Sequence, residues 1–301
     1  MSINEVNTHI IPIEFEYHAP TTIAEAASLL EKYGDKAKIL AGGTDLIPHM
    51  KQRKVDADHV ISIKKVPGLA SIKETSKGIE IGANTTLRAI ELSSLIQEKI
   101  PLLSEAAATV GSVQIRNLGT VGGNICNASP SADMATPLLA LDTIVHVYNK
   151  DGNKDYTLEE FFHGRGEVKL EPGELLTGMT VPIPPKSAGM AFEKVGWTDF
   201  DIATVNVATV LTLKEGKIDY CRVTLGACSP APTRVYQAET ILVGEEPTPE
   251  LFDQALYLVA ACVEPRETWR RAPPEYRRRA SQALAVDALN RSIEKARRLT
   301  Q

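Results

Sequence analysis

The sequence has few cysteines, few aromatic residues and no long apolar run, and each scarcity excludes a class of protein. Among 301 residues there are four cysteines, which are too few and too scattered for the disulfide framework of a secreted domain. No CxxC or Cys/His pair has the spacing of a zinc or iron–sulfur site, so the sequence predicts no metal and no iron–sulfur centre in this chain. No apolar run approaches a length of about 18 residues, which predicts no membrane span.

The net charge argues against a nucleic-acid-binding protein. Lys and Arg total 33 against 38 Asp and Glu, which gives a net charge of −5. A nucleic-acid-binding face needs dense positive charge, so no nucleic acid is expected as a partner. The first 20 residues are polar and acidic and lack the basic-then-apolar order of a signal peptide, which predicts a cytoplasmic location.

Positive charge is concentrated at the C-terminal end. Residues 264–301 carry ten basic and five acidic side chains, so the rest of the chain has a net charge of −10. Apolar residues such as Leu284, Leu289 and Ile293 recur there at helical spacing. Two interpretations stay open: a solvated helix face, or a docking surface for an acidic partner protein.

The length and one proline-rich break indicate two domains. A chain of this size holds two domains at about 100–200 residues each, and the prolines between residues 182 and 185 mark the natural boundary. We therefore expect a first domain over residues 1–182 and a second over residues 186–301.

Local patterns predict the secondary structure. A capping box at Thr22 and Glu25 begins a helix that Gly34 ends. Two long strands are predicted over 203–213, a run rich in β-branched residues, and over 218–228, and a turn at 214–217 joins them into a hairpin. The remaining elements are strands at 38–41, 59–63, 79–83 and 144–148, and helices from 45 and over 87–96, 102–110, 250–263 and 274–298.

Two glycine pairs are the strongest chemical signal. Gly42-Gly43 comes directly after a predicted strand, and Gly122-Gly123 lies in the middle of the chain. A glycine pair permits positive φ and allows successive backbone N–H groups to converge on an anion such as a pyrophosphate. Either pair alone is more simply explained as a tight turn, and neither contains the G-x-G-x-x-G fingerprint of nicotinamide sites.

Polar residues flank both pairs. Thr44, Thr120 and Asn124 carry side chains that hydrogen-bond phosphate oxygens, and Asp133 is suited to a ribose hydroxyl. Two such segments fit two loops that clamp one diphosphate.

Four segments in order resemble the FAD-binding medium subunit of the molybdenum hydroxylases, the family of xanthine dehydrogenase and carbon monoxide dehydrogenase. They are KILAGGTDL at 38–46, IRNLGTVGGNI at 115–125 with NASPSAD at 127–133, FEKV at 192–195 with DIATV at 201–205, and EYRR at 275–278. The likeness runs over nearly the whole chain.

The resemblance implies a fold, a cofactor and partners. The expected fold is α+β: a flavin fold of the vanillyl-alcohol-oxidase/p-cresol methylhydroxylase type, with subdomains at about 1–60 and 61–182, and a C-terminal α+β domain with an antiparallel sheet. The implied cofactor is noncovalent FAD, with molybdopterin and [2Fe–2S] clusters only in a large and a small partner subunit. A dimer of heterotrimers with an acceptor such as NAD is typical of such enzymes.

The resemblance also implies the residues that bind FAD, and it assigns no catalytic side chain. The first loop and the second loop would hold the pyrophosphate, Asp133 the ribose, and two further residues would lie near the flavin or the adenine. The full set is Ile39, Leu40, Ala41, Gly42, Gly43, Thr44, Asp45, Leu46, Thr120, Val121, Gly122, Gly123, Asn124, Asp133, Leu176 and Lys194.

One feature of the flavin site stays open in the sequence. The position where relatives place an aromatic ring over the isoalloxazine falls at Val110, which cannot stack. Tyr148, Tyr156, Trp197 and Phe200 are the alternative candidates.

Two other functions stay open beside the electron-transfer subunit. One is a stand-alone FAD oxidase of a small alcohol or amine, which would need its own substrate base over the flavin. The other is a flavin-free scaffold that kept the fold only. His49 and His59, near the first loop, are expected to be ordinary surface or hydrogen-bonded histidines.

Overall fold

The computed structural model describes residue 11, residues 13–264 and residues 272–300. Arg266, Arg270 and Arg271 of the basic C-terminal segment lie outside these ranges, as do residues 1–10.

The N-terminal part is a three-stranded parallel sheet. Its strands β1 (Glu16–His18), β2 (Ala37–Leu40) and β3 (His59–Ser62) lie in the order β1-β3-β2. Parallel neighbours need crossover connections, and helices α1 (Ile23–Tyr33) and α2 (Leu46–Lys51) lie in the two connections.

Helix α1 begins and ends where the sequence predicts. The Thr22 hydroxyl accepts a hydrogen bond from the backbone N–H of Glu25, and Gly34 follows the helix with φ of 54°. The Glu25 carboxylate accepts from the N–H of Thr21 instead of Thr22, so only half of the predicted capping box forms.

A five-stranded antiparallel sheet forms the middle of the molecule. Strands β4 (Ile72–Thr75), β5 (Gly78–Gly82), β6 (Ile144–Asn149), β7 (Gly152–Thr157) and β10 (Leu175–Val181) lie in the order β4-β5-β10-β6-β7, and a short β8 (Phe162–Gly164) pairs with β9 (Glu167–Val168). Six short helices fill the connection from β5 to β6: α3 (Leu87–Leu92), α4 (Ser94–Lys99), α5 (Pro101–Ala108), α6 (Val113–Leu118), α7 (Val121–Cys126) and α8 (Ala135–Ala140). A one-turn helix, α9 (Leu158–Phe161), follows β7.

The C-terminal part is an antiparallel sheet covered by helices. Strands β11 (Gly189–Val195), β12 (Val205–Lys214), β13 (Lys217–Gly226) and β14 (Thr233–Arg234) lie in chain order, followed by α10 (Tyr236–Leu242), α11 (Pro249–Ala261) and α12 (Pro274–Thr300). The predicted hairpin is confirmed as β12–β13. Its two turn residues, Glu215 and Gly216, have φ of 53° and 82°, as a two-residue hairpin loop of type I′ requires.

The middle and C-terminal parts share one hydrophobic core. Phe192 of β11 and Val210 of β12 are buried in the same cluster as Ile79, Leu103 and Val145. The C-terminal sheet is therefore packed against the six-helix connection. Among the described residues, no helix is both long and apolar enough to cross a membrane.

Some basic side chains of the C-terminal helix bind groups within the molecule. Arg277 is buried and donates to the carbonyl oxygens of Thr204 and Ala227 at 2.6 and 2.8 Å. Lys295 pairs with Glu105 at 2.8 Å. These two charged side chains make contacts within the fold, whereas side chains such as Arg278 and Arg297 are exposed.

Candidate functional site

The first glycine segment is a loop with free donors. Residues 41–45 connect β2 to α2, and Gly43 has φ of 80°, a value that favours glycine. No acceptor among the described residues takes a hydrogen bond from the backbone N–H of Gly42, Gly43, Thr44 or Asp45. Four successive free N–H groups of this kind can bind an anion.

The second glycine segment differs from the expected turn. Thr120 caps α7, so Gly122 and Gly123 lie in the first helical turn and neither has positive φ. The N–H groups of Val121, Gly122, Gly123 and Asn124 donate to the carbonyl oxygens of Thr85 and Ala83, to the Thr120 hydroxyl and to the Thr120 carbonyl. The prediction of free amide groups is therefore wrong for this segment, because capping and helix packing use them.

Glycine serves close packing at these positions. A Cβ on Gly42 would lie 2.1 Å from the carbonyl oxygen of Leu118, and one on Gly122 would lie 2.5 Å from that of Ala83. The N–H of Leu87 donates to the carbonyl oxygen of Gly119 at 2.9 Å, which holds the approach to α7 in place. The two glycine segments are consequently neighbours.

A cavity of about 750 Å³ lies between the three-stranded sheet and the six-helix connection, within the size range of cofactor sites, about 300–1,000 Å³. Thirteen of the sixteen predicted binding residues line it: Ile39, Ala41, Gly42, Gly43, Thr44, Asp45, Leu46, Thr120, Gly122, Gly123, Asn124, Asp133 and Leu176.

Three predicted binding residues do not line the cavity. Leu40 packs against the small cluster that contains Met50 and Val60. Val121 is fully buried in the main core. Lys194 lies behind the wall, where its ammonium donates to the Asp133 carboxylate.

One buried polar atom of the wall has no partner among the described residues. The Oδ1 of Asn124 is fully buried and accepts no hydrogen bond. An unsatisfied buried acceptor costs about 1–3 kcal/mol, and a ligand donor that met this one would remove that cost. Together with the four N–H groups of the first loop and the Asp133 carboxylate, it gives the cavity both donors and acceptors, which fits a nucleotide cofactor.

Asp133 is held from two sides. Its Oδ2 accepts from the Lys194 ammonium at 2.6 Å, and its Oδ1 accepts from the Asn206 amide at 2.8 Å. Burial raises the pKa of the Asp133 carboxyl, and the Lys194 charge opposes that shift. Lys194 also donates to the carbonyl oxygen of Thr109 at 2.9 Å, so it ties the C-terminal sheet to the cavity wall.

The segment before β10 forms another wall. Glu174 is buried, and its carboxylate accepts from Lys154, Asn149 and the N–H of Glu171 at 2.6, 2.8 and 3.0 Å. Burial acts to raise the pKa of Glu174, but these hydrogen bonds outweigh it and hold the pKa below its ordinary value. Glu174 thereby fixes the segment that leads into β10, in which Leu176 lines the cavity.

Several lining residues lie outside the sixteen predicted binding residues, although Val110 and Phe200 were considered for the isoalloxazine contact. Val110, Gly119, Cys126, Ser129 and Phe200 all line the cavity. Of the aromatic candidates, Phe200 alone does so among the described residues. Burial raises the pKa of the Cys126 thiol to about 12, which leaves it an unreactive thiol at neutral pH. Sequence signals exist for Gly119 and Ser129, which lie in the motifs that resemble the family, and for Val110 and Phe200, but none marks Cys126.

Of the two histidines near the first loop, one lines the cavity and the other does not. His49 of α2 lines the cavity, whereas His59 lies in β3 beside β1 and does not.

Family models match both halves of the chain. The FAD-binding domain of molybdopterin dehydrogenases matches residues 13–184, and the C-terminal domain of the CO dehydrogenase flavoprotein matches residues 190–292.

Individual relatives match nearly the whole length of the chain. It is 34% identical over 288 residues to the carbon monoxide dehydrogenase medium chain of Afipia carboxidovorans, with 96% of this chain and 98% of the relative covered. It is 31% identical over 283 residues to the xanthine dehydrogenase FAD-binding subunit of Escherichia coli O157:H7, with 93% and 96% covered.

The fold matches solved structures equally well. It superposes on one chain of a carbon monoxide dehydrogenase from Hydrogenophaga pseudoflava. The solved form of that enzyme lacks the Mo-pyranopterin moiety of the molybdenum cofactor. The TM-score is 0.93 at 32% identity, with 95% of this chain and 99% of that chain covered.

Proposed function

This chain belongs to the FAD-binding family of the molybdopterin dehydrogenases, and we propose that it is the electron-transfer subunit of such an enzyme. Bound FAD would supply the redox chemistry, taking electrons from a [2Fe–2S] partner subunit and passing them to an acceptor such as NAD. The residues of this chain bind and orient the cofactor.

The cavity between the two glycine segments carries the proposal. The free N–H groups of Gly42, Gly43, Thr44 and Asp45 would donate to the pyrophosphate. The second segment would contribute the Asn124 side chain, whose Nδ2 can donate to the pyrophosphate and whose Oδ1 can accept from a ligand donor.

The remaining walls would hold the rest of the cofactor. Asp133 would accept from a ribose hydroxyl, with Lys194 acting through Asp133 instead of on the cofactor. Leu176 would contact the flavin or the adenine. Phe200, on the loop between β11 and β12, is the aromatic residue we assign to the isoalloxazine.

The stand-alone oxidase is the less favoured alternative. Such an enzyme needs a base that is free to take a proton from its substrate. The two buried carboxylates of the cavity wall, Asp133 and Glu174, are each engaged by a lysine at 2.6 Å. These two carboxylates therefore serve to hold the site and are not free to take a proton.

The proposed assembly follows from the family resemblance. We place this subunit in the cytoplasm with a large molybdopterin subunit and a small [2Fe–2S] subunit, two copies of each in a dimer of heterotrimers. Pull-down of both partners with this chain, followed by mass measurement of the intact complex, tests the composition. A complex with one partner only would contradict it.

Anaerobic reduction of the FAD-loaded chain tests the function. We expect NADH to bleach the flavin absorption, because the acceptor reaction runs in reverse without the partners. Small alcohols and amines should leave the absorption unchanged. Bleaching by an alcohol or an amine would favour the oxidase, and no reaction with NADH would remove NAD as the acceptor.

A further inference from the structure

Three metal-ligating side chains meet on one face of the N-terminal sheet, outside the FAD cavity. Strands β1 and β3 are parallel neighbours, with Glu16 directly opposite His59. Side chains alternate along a strand, so His18 shares the face of Glu16. Among the described residues these three form the one cluster of histidines and carboxylates close enough to hold a single ion.

Their ligand atoms converge. Nε2 of His18 lies 3.1 Å from Nδ1 of His59 and 3.7 Å from Oε2 of Glu16, and Nδ1 of His59 lies 3.3 Å from that same oxygen. Zinc bonds of about 2.0–2.1 Å in a tetrahedral arrangement place neighbouring ligand atoms about 3.3 Å apart. The three distances bracket that value.

Hydrogen bonding alone satisfies this cluster incompletely. A neutral imidazole carries one N–H and one lone pair, and a carboxylate only accepts. If Nε2 of His18 or Nδ1 of His59 carries a proton, that proton can be donated to only one of the other two ligand atoms. Two acceptor atoms of the cluster then face each other with no proton between them. One divalent cation would accept all three lone pairs at once.

The surroundings hold the rings in position and leave one side open. Tyr33 of α1 stacks on the His59 ring with centroids 3.5 Å apart, and it lies 5.3 Å from the His18 ring. The two histidine side chains are 20% and 16% exposed, whereas the Glu16 side chain is 70% exposed. An ion can therefore enter past Glu16, and water can complete its coordination.

We propose that Glu16, His18 and His59 bind one divalent transition metal ion, with Zn²⁺ the best match to two imidazoles, one carboxylate and an open fourth position. None of the three lines the FAD cavity, but Ala37, which is paired with His59, does. The ion would brace β1 against β3 in the sheet that carries the first glycine loop. Cysteine spacing, on which the expectation of a metal-free chain was based, carries no information about these three residues.

Zinc titration of the full chain, prepared without a polyhistidine tag and stripped with a chelator, tests the site. Calorimetry should give one Zn²⁺ per chain, and Zn²⁺ should raise the Tm. Substitution of Co²⁺ should give the visible bands of a tetrahedral site. His18→Ala and His59→Ala should lose the binding, and Glu16→Gln should weaken it at least about 10-fold. His163→Ala, an exposed histidine outside the cluster, is the matched control and should bind as the wild type does.

Two results would overturn the site: no stoichiometric binding to the wild type, or equal binding by His18→Ala, His59→Ala and the wild type. FAD content reports whether each variant is folded, since the cluster does not line the FAD cavity. If a histidine variant fails to fold, Glu16→Gln decides the question, because its side chain is mostly exposed. Unchanged Zn²⁺ affinity in Glu16→Gln would then contradict the proposed ligand set.

Discussion

Gly42 packs against Leu118 so closely that a Cβ on the glycine would lie 2.1 Å from the carbonyl oxygen of the leucine. The backbone before the second glycine segment therefore rests directly on the first loop. Any side chain at residue 42 must push the two apart. Because the proposed FAD site depends on both segments, this contact couples chain packing to cofactor binding.

We predict that Gly42→Ala releases FAD. The added methyl group forces the first loop away from Leu118, which displaces the N–H donors of the loop from their place in the cavity wall. FAD content after gel filtration should fall to a small fraction of the wild-type content. Gly164→Ala is the control, because its Cβ would meet nothing closer than 3.7 Å and its φ is ordinary. Full FAD content in Gly42→Ala would contradict the coupling.

Asn124→Leu separates stability from binding. The substitution removes the buried Oδ1 that has no partner, so the free energy of unfolding of the FAD-free chain should rise by about 1 kcal/mol. The same change should weaken FAD binding about 10-fold, which corresponds to about 1.4 kcal/mol.

Thr143→Val is the matched control for Asn124→Leu. Thr143 also has a buried oxygen without a partner among the described residues, but it does not line the cavity. Its substitution should raise stability without changing FAD affinity. If Asn124→Leu left FAD affinity at the wild-type value, the assigned role of the amide would be wrong.

The Asp133–Lys194 pair should be strongly coupled. Lys194→Met leaves the Asp133 carboxylate without its cation, and breaking such a buried pair costs about 3–5 kcal/mol. The double variant with Asp133→Asn should recover part of that loss in urea unfolding. Lys150→Met, which breaks an exposed pair with Glu31, should change little. Strictly additive losses in the double variant would exclude the coupling.

Glu174 should make stability depend on acid pH. Its pKa in the folded chain lies below the ordinary value of 4.5, so the stabilisation is complete above that pH and is lost as the pH falls through the lowered pKa. Glu174→Gln should cost about 1–3 kcal/mol at neutral pH. It should also flatten the fall in unfolding free energy below pH 4.5, measured by urea unfolding across the acid range. An unchanged slope would remove Glu174 as its source.

Local patterns were sufficient for much of the fold. The Thr22 cap, the turn at Glu215 and Gly216, and the strands on either side of it all depend on a few neighbouring residues, so the sequence alone identifies them. The resemblance to the FAD-binding family is confirmed, since it rests on ordered motifs along nearly the whole chain.

Contacts between distant segments could not be predicted. Gly122 and Gly123 were expected in an open turn, but Thr120 caps a helix there and Ala83 leaves no room for a Cβ. Lys194 was assigned to the cofactor, but it reaches Asp133 across 61 residues and acts on the cavity from behind. No local signal reveals either arrangement.

The same limit applies to the histidine cluster. His18 and His59 are 41 residues apart and meet only because β1 and β3 pair in parallel. A register shift of one residue would turn one of them to the opposite face of the sheet.

The visible absorption of the chain after reconstitution with FAD and desalting tests the central claim most directly. We predict flavin bands that correspond to one FAD per chain, that disappear from the protein on heat denaturation because the cofactor is noncovalent, and that are missing in Gly43→Val and Gly123→Val. A colourless wild-type chain, or full flavin content in both glycine variants, would contradict an FAD site built from these two segments.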